Sequence, residues 1–241
     1  MMIVPANWNL PDAIRSRVSP TSFGRQRAII EGGQLLLLLH KPPAANDAHR
    51  EGVLFWRDAR GEWQASRGAA GGLKRHIQDY ADIDTKLSEK YERADDTTTL
   101  FEILEALNPV ARAARNMHLA LQDAREGFGD DPFLIEMRDA AYDVERNLEL
   151  LLEDVQNALQ YRAAREAEEQ ARLSRETLRA SHRLNTVAAL FLPVTAITSV
   201  FGMNLSSGLN PTNPTLFWLV LLAGVALGGG MVAWVLARPR P

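Results

Sequence analysis

The sequence predicts an α+β membrane protein: a small N-terminal antiparallel β-sheet with helices, a very long stalk helix continuous with a first transmembrane helix, then a second transmembrane helix. Three observations predict it. Short apolar runs bounded by turn residues lie between Arg27 and Trp63. After Pro132 nothing breaks a helix until Pro193. From Leu184 to Ala237 there is no Asp, Glu, Lys, Arg or His.

Composition bounds the function before any motif does. The 241 residues carry 27 Lys+Arg against 30 Asp+Glu, a formal net charge of −3. That balance argues against a strongly basic nucleic-acid binder. The absence of Cys excludes disulfides, thiolate metal sites and a Cys nucleophile. Histidines 40, 49, 76, 118 and 182 are scattered, which gives no zinc site. There is no P-loop and no nucleophile–base pair, so the chain is not expected to be an enzyme or to be fuelled by ATP hydrolysis. The mean hydropathy of −0.18 averages over a charged part and a charge-free part.

In chain order, residues 1–24 read as an irregular lead-in, with no basic region followed by an apolar run, hence no signal peptide. Ala28–Ile30 and Leu35–Leu39, split by Glu31-Gly32-Gly33, predict strand, tight turn, strand. Val53–Trp56 and Trp63 flank Asp58-Ala59-Arg60-Gly61, a second hairpin signal. Three or four short strands result. A helix is expected from Leu73 to about Arg93. A second, from about Thr99 to Gly127, is capped within Asp96-Thr97-Thr98-Thr99, with Pro109 a candidate kink. Asp130-Asp131-Pro132 then supplies an N-cap and a first-turn Pro.

In the long helix that follows, Leu134, Met137, Ala141, Val144, Leu148, Leu151, Val155 and Ala158 recur at steps of three and four, a coiled-coil repeat. Beyond Arg162 the seam thins to Ala163, Ala167, Ala171, Ser174 and Leu178. Unbroken to Met203, the helix would reach on the order of 100 Å. Such a helix cannot bury itself in its own small domain, which implies oligomerisation. Asp130–Asp154 is strongly acidic and the later part is Arg-rich. Asp139 and Asp143 share a face at i, i+4, and carboxylates there are candidate ligands for a hard regulatory cation.

Leu184–Met203 and Leu216–Leu236 are each about 20 residues, the length that crosses a bilayer core. Ser, Gly, Asn and Pro make 204–215 a loop. Arg172, Arg175, Arg179 and Arg183 precede the first span and Arg238 and Arg240 follow the second, so both termini are expected in the cytoplasm and the loop outside. Gly224 and Gly228 form a GxxxG pair suited to close packing. The domains expected are a cytoplasmic head (1–127), a cytoplasmic stalk (128–183) and a two-helix transmembrane pore domain (184–241).

The first span ends in Phe201-Gly202-Met203-Asn204. Gly202 allows close backbone approach, and Asn204 offers an uncharged amide oxygen. About five copies around an axis would present a ring of oxygens able to grip the first-shell waters that Mg²⁺ releases reluctantly. This Gly-Met-Asn at the outer end of the first of two C-terminal spans, with Leu184 and Phe191-Leu192-Pro193-Val194-Thr195 before it, resembles the CorA-like magnesium transporter family. The resemblance is specific over about residues 175–237 and architectural from about 70 onward.

It implies a homopentamer in the plasma (inner) membrane with the first span lining the pore. It implies Gly202, Met203 and Asn204 as the selectivity filter, Thr195 as a polar pore-lining residue, and Leu184 at a hydrophobic gate that closes by dewetting. The cargo expected is Mg²⁺, with Co²⁺, Ni²⁺ and Zn²⁺ as further candidates. Influx would be driven by the membrane potential and gated by cytoplasmic Mg²⁺. The partners expected are other copies of the chain and the lipid bilayer, not nucleic acid. An alternative is a membrane effector on the same scaffold, opened by a small ligand or partner of the head. A third reading is a structural anchor, which would have no need of Asn204.

Overall fold

The computed structural model describes residues 3–44, 50–66, 69, 71–202 and 214–237, without the side chains of 201, 202, 216, 235 and 236. It contains α1 (Asp12–Arg15), β1 (Arg27–Glu31), β2 (Gln34–His40), β3 (Gly52–Arg57), β4 (Trp63–Ala65), α2 (Gly72–Glu92), α3 (Thr97–Gly127), α4 (Pro132–Gly202) and α5 (Pro214–Ala237). Two compact units divide the chain, Met1–Ala163 and Ala164–Pro241.

The four strands form an antiparallel meander in the order β1-β2-β3-β4. Gly32 and Gly33 both take positive φ, 55° and 73°, between the closing pair Glu31 and Gln34. A two-residue turn of that kind matches strand twist, and side chains other than Gly resist it. At the β3–β4 turn, Asp58 Oδ1 accepts the amides of Arg60 (2.8 Å) and Glu62 (2.9 Å).

The Leu35–Leu39 run is buried on both faces of the sheet. Leu35, Leu37 and Leu39, with Val53 and Phe55, join the core built by α2, α3 and the first part of α4. Leu36 and Leu38, with Ile29, Leu54 and Trp56, pack instead on Trp8, Leu10 and Ile14. Residues 1–24 are therefore more than a lead-in. Their apolar residues and the single turn of α1 cover the second face. An antiparallel strand with one wet face would alternate, whereas an unbroken apolar run needs two covers.

Helix α2 closely follows its expected range. Helix α3 starts two residues earlier than expected because Asp96 caps it, accepting from the Thr99 amide at 2.8 Å. It continues through Pro109 as one helix. Asp131 caps α4 by accepting from the amides of Phe133 (3.0 Å) and Leu134 (3.2 Å). The same carboxylate meets Arg57 of β3 at 3.0 Å, and the Arg57 guanidinium lies 4.7 Å over the Phe128 ring. One half-buried ion pair thus fixes the start of the long helix on the sheet.

The seam from Leu134 to Val155 is buried, in one core with residues of α2 and α3. Part of the cover that the long helix needs thus comes from helices of its own chain. Its first eight seam positions are buried or partly buried inside this chain, whereas the seam residues Ala163, Ala167, Ala171, Ser174 and Leu178 are exposed. Helix α4 runs on without a break through Pro193 to Gly202.

Candidate functional site

Helix α5 and the last part of α4 are both long and apolar enough to cross a membrane. Within the second unit they pack through glycine. A Cβ at Gly228 would sit 2.5 Å from the Leu190 carbonyl oxygen, so only glycine permits this approach. At Gly224 a Cβ would meet Ile197 at 3.5 Å and Val194 at 3.6 Å, an ordinary contact. Ala189 is the buried residue on the α4 side. Small residues at the crossing are what helices in hydrocarbon need, since dispersion rather than water exclusion drives their association.

This packing divides α4 into two faces. Ala189, Leu190, Pro193, Val194 and Ile197 turn towards α5. At about 100° per residue, Leu184 and Thr195 lie within roughly 20° of each other and about 150–170° from the centre of the α5-packed set. Leu184 is 71% exposed, and Thr195 is exposed too. Ala188, Leu192, Ser199 and the last helical residue, Gly202, extend the same stripe. The Thr195 hydroxyl donates to the Phe191 carbonyl at 2.9 Å, which leaves its oxygen lone pairs facing outward from the helix. Met203 and Asn204, and the loop as far as 213, lie outside the described residues.

The flanks carry aromatic residues. Phe217 and Trp218 stand near the start of α5 and Trp234 near its end, all more than half exposed. Indoles at both ends of an apolar helix suit the two interfaces of a bilayer.

Asp139 and Asp143 are both exposed on α4. Asp139 Oδ1 meets Arg138 Nη1 at 3.1 Å. Asp143 borders a shallow groove of 260 Å³ between α2 and α4, with Lys74, Gln78, Glu136 and Asn147. Among the described residues no three His, Cys, Asp or Glu side chains are grouped to share a metal ion.

The head carries two buried histidines that the sequence did not single out. His76 stacks near Phe55 (5.4 Å) and Tyr80 (5.6 Å), and the Tyr80 hydroxyl donates to the His40 carbonyl at 2.8 Å. Burial pushes the His76 pKa down to about 4 and lowers that of His40, where the Arg50 charge adds to the effect. The same burial raises Tyr80. All three side chains are buried in the head. Beside β4, a cleft of 320 Å³ is lined by Phe55, Trp63, Ala65, Leu73, Lys74 and Phe133.

The model of the CorA-like Mg²⁺ transporter protein family matches residues 75–238. Among curated proteins there is no match. Solved structures are similar as well. The full-length CmaX protein has a TM-score of 0.51 at 16% identity, covering 96% of this chain and 82% of that one. The cytoplasmic domain of ZntB from Vibrio parahaemolyticus RIMD 2210633 has 0.50 at 13% identity, covering 65% and 80%. The CorA magnesium transporter from Methanocaldococcus jannaschii has 0.32 at 16% identity, covering 93% and 82%. The first two share the fold of this chain. With a family match over well more than half its length, ending in the charge-free helical hairpin, the chain belongs to the CorA-like Mg²⁺ transporter family.

Proposed function

We propose that the chain forms a homopentameric divalent-cation channel that carries Mg²⁺ into the cytoplasm. Family membership supports a divalent-cation transporter. The observation that carries the finer reading is the two-faced α4: one face is closed by Gly224 and Gly228 of α5, and the opposite face holds Leu184 and Thr195 in line with Gly202. A face without charge, mixing a bulky apolar residue with hydroxyls, suits a narrow path for a hydrated ion. Five such faces around an axis would put the Gly202-Met203-Asn204 filter at one end and the Leu184 constriction at the other.

Transport needs no chemical fuel and the protein acts as no enzyme. A potential of 100 mV is worth about 4.6 kcal/mol for a divalent ion. In this reading 1–127 is the cytoplasmic head, 128–183 the stalk and 184–241 the pore domain. The outer loop begins at 204 and ends where α5 starts, at Pro214 rather than after residue 215, in an inner-membrane protein with both termini cytoplasmic. Cytoplasmic Mg²⁺ closes the channel by binding carboxylates such as Asp139 and Asp143 on the exposed side of α4 in the closed state. Co²⁺, Ni²⁺ and Zn²⁺ are further cargo.

The test is Mg²⁺ uptake into dye-loaded proteoliposomes at an inside-negative potential, with wild type beside Asn204→Ala. Uptake that is lost or unselective in the variant supports channel and filter together. No uptake by correctly inserted wild type at any lumenal Mg²⁺ overturns the reading. Unchanged inhibition by lumenal Mg²⁺ in Asp139→Asn/Asp143→Asn overturns that regulatory site alone. A second reading, an effector whose pore answers to a small ligand, draws support from the aromatic cleft beside β4. It predicts uptake only when that ligand is present.

A further inference from the structure

The face of α4 that meets α5 continues past the end of α5. Gly228 lies against Leu190 in an antiparallel hairpin, so Ala237, the last residue of α5, is level with about Ser181. On the same α4 face, around and before that level, stand Arg172, Arg175, Arg179, His182 and Arg183. Their spacing of three and four keeps them within an arc of roughly 100°, centred on the direction of α5. This arc lies opposite Leu184 and Thr195.

All five side chains are exposed. Arg172 pairs with Glu176 at 3.4 Å. Among the described residues no ion pair engages Arg175, Arg179 or Arg183. Glu176 is the one acid between residues 170 and 183.

We propose that Arg175, Arg179 and Arg183 form a binding face for the phosphate headgroups of anionic phospholipids, in the leaflet where the charge-free hairpin ends. This rests on the membrane reading above. The guanidinium fork matches phosphate oxygens two at a time. Arg183 and Arg179 fall within about 8 Å of the start of the apolar stretch, the depth of a headgroup layer, and the side chain of Arg175 spans the remainder. Trp234 is level with about Leu184 and stands at the same interface.

A general preference for basic residues near a span asks for no particular face. Here the basic residues occupy the one face that turns away from the Leu184–Thr195 stripe. Cations moving along that stripe would meet no ring of arginines, and the arginines would point outward to lipid.

The test compares retention of phosphatidylglycerol and phosphatidylcholine by the purified full-length protein in detergent, read by native mass spectrometry. Each arginine near an anionic surface contributes about fivefold, so the wild type should prefer phosphatidylglycerol by about a hundredfold. Arg175→Gln/Arg179→Gln/Arg183→Gln should lose at least tenfold of that preference. Arg60→Gln/Lys86→Gln/Arg93→Gln removes the same charge from the head and should keep it. An equal loss in both variants, or no preference in the wild type, overturns the proposal.

Displacement of the lipid by free glycerol phosphate overturns it in favour of a soluble phosphate. A changed oligomer mass with lipid preference intact overturns it in favour of contacts between copies. Extraction by alkaline carbonate separates the two levels. Wild type that is washed off the membrane defeats the membrane reading itself, whereas wild type that stays but shows no preference defeats only the lipid face.

Discussion

The two parts of α4 solve the same problem in opposite ways. From Leu134 to Val155 its seam is buried in the chain's own core, and apart from Tyr142 and Leu150 the exposed positions between are charged or polar. After Leu184 the order reverses. Leu184, Leu192, Val200 and the α5 residues Leu219 and Leu222 are each more than 60% exposed, and no charge accompanies them. A soluble surface does not carry a patch of that extent. What changes along the helix is its cover: a local core and a charged surface in the first part, a charge-free apolar surface long enough to cross a membrane in the second.

The sharpest way to break this contrast is a pair of equal truncations. Leu148 is fully buried, so Leu148→Ala should destabilise the compact unit Met1–Ala163 by about 2–5 kcal/mol in denaturant titrations followed by Trp fluorescence. Leu173, 55% exposed in the charged stretch, should give a change within about 0.5 kcal/mol. Equal effects would mean that the seam does not end where the compact unit Met1–Ala163 ends.

Acid should separate the two parts next. His76 has a folded pKa near 4, below its usual 6.5. The unfolded chain therefore binds the proton first, and head stability is complete above about pH 6.5 and declines as pH falls towards 4. The loss is about 2–3 kcal/mol, and His76→Gln should flatten that segment of the stability–pH curve. The hairpin has no ionisable group from Leu184 to Ala237, so its helicity in detergent should not change across the same window.

A smaller effect tests the α4–α5 contact. Gly228→Ala forces a methyl onto the Leu190 carbonyl and should cost about 1–3 kcal/mol in hairpin stability. Gly229→Ala meets nothing within 4 Å and should be neutral. Thermal unfolding of the purified variants in detergent would show the difference. A neutral Gly228→Ala would mean that the helices cross elsewhere.

Much of this was legible in the residues. The Gly32-Gly33 turn, the Asp131-Pro132 start and the Gly224/Gly228 pair each impose a local geometry through one or two backbone positions, and short-range rules suffice for them. The cover provided by Trp8, Leu10 and Ile14 was not legible, because it has no periodicity of its own. The one trace of it was the non-alternating Leu35–Leu39 run, which could have been read as demanding two buried faces. The seam's burial inside the chain was also hidden. A three–four repeat says that a helix has an apolar stripe, not whether α2 and α3 or another copy will cover it. The Arg57–Asp131 pair joins residues 74 apart in sequence and leaves no local signal. Thr195 and Leu184 were identified through family resemblance. The structure adds that they share the face α5 leaves open.

That shared face is the central claim, and thiol labelling tests it most directly. The chain has no Cys, so a single introduced thiol reports alone. Thr195→Cys and Ile197→Cys should be compared in the proteoliposome Mg²⁺ uptake assay, with a charged, membrane-impermeant thiol reagent added during uptake. The account predicts block of uptake through Thr195→Cys and none through Ile197→Cys, which faces α5. Block through Ile197→Cys with Thr195→Cys indifferent would contradict it.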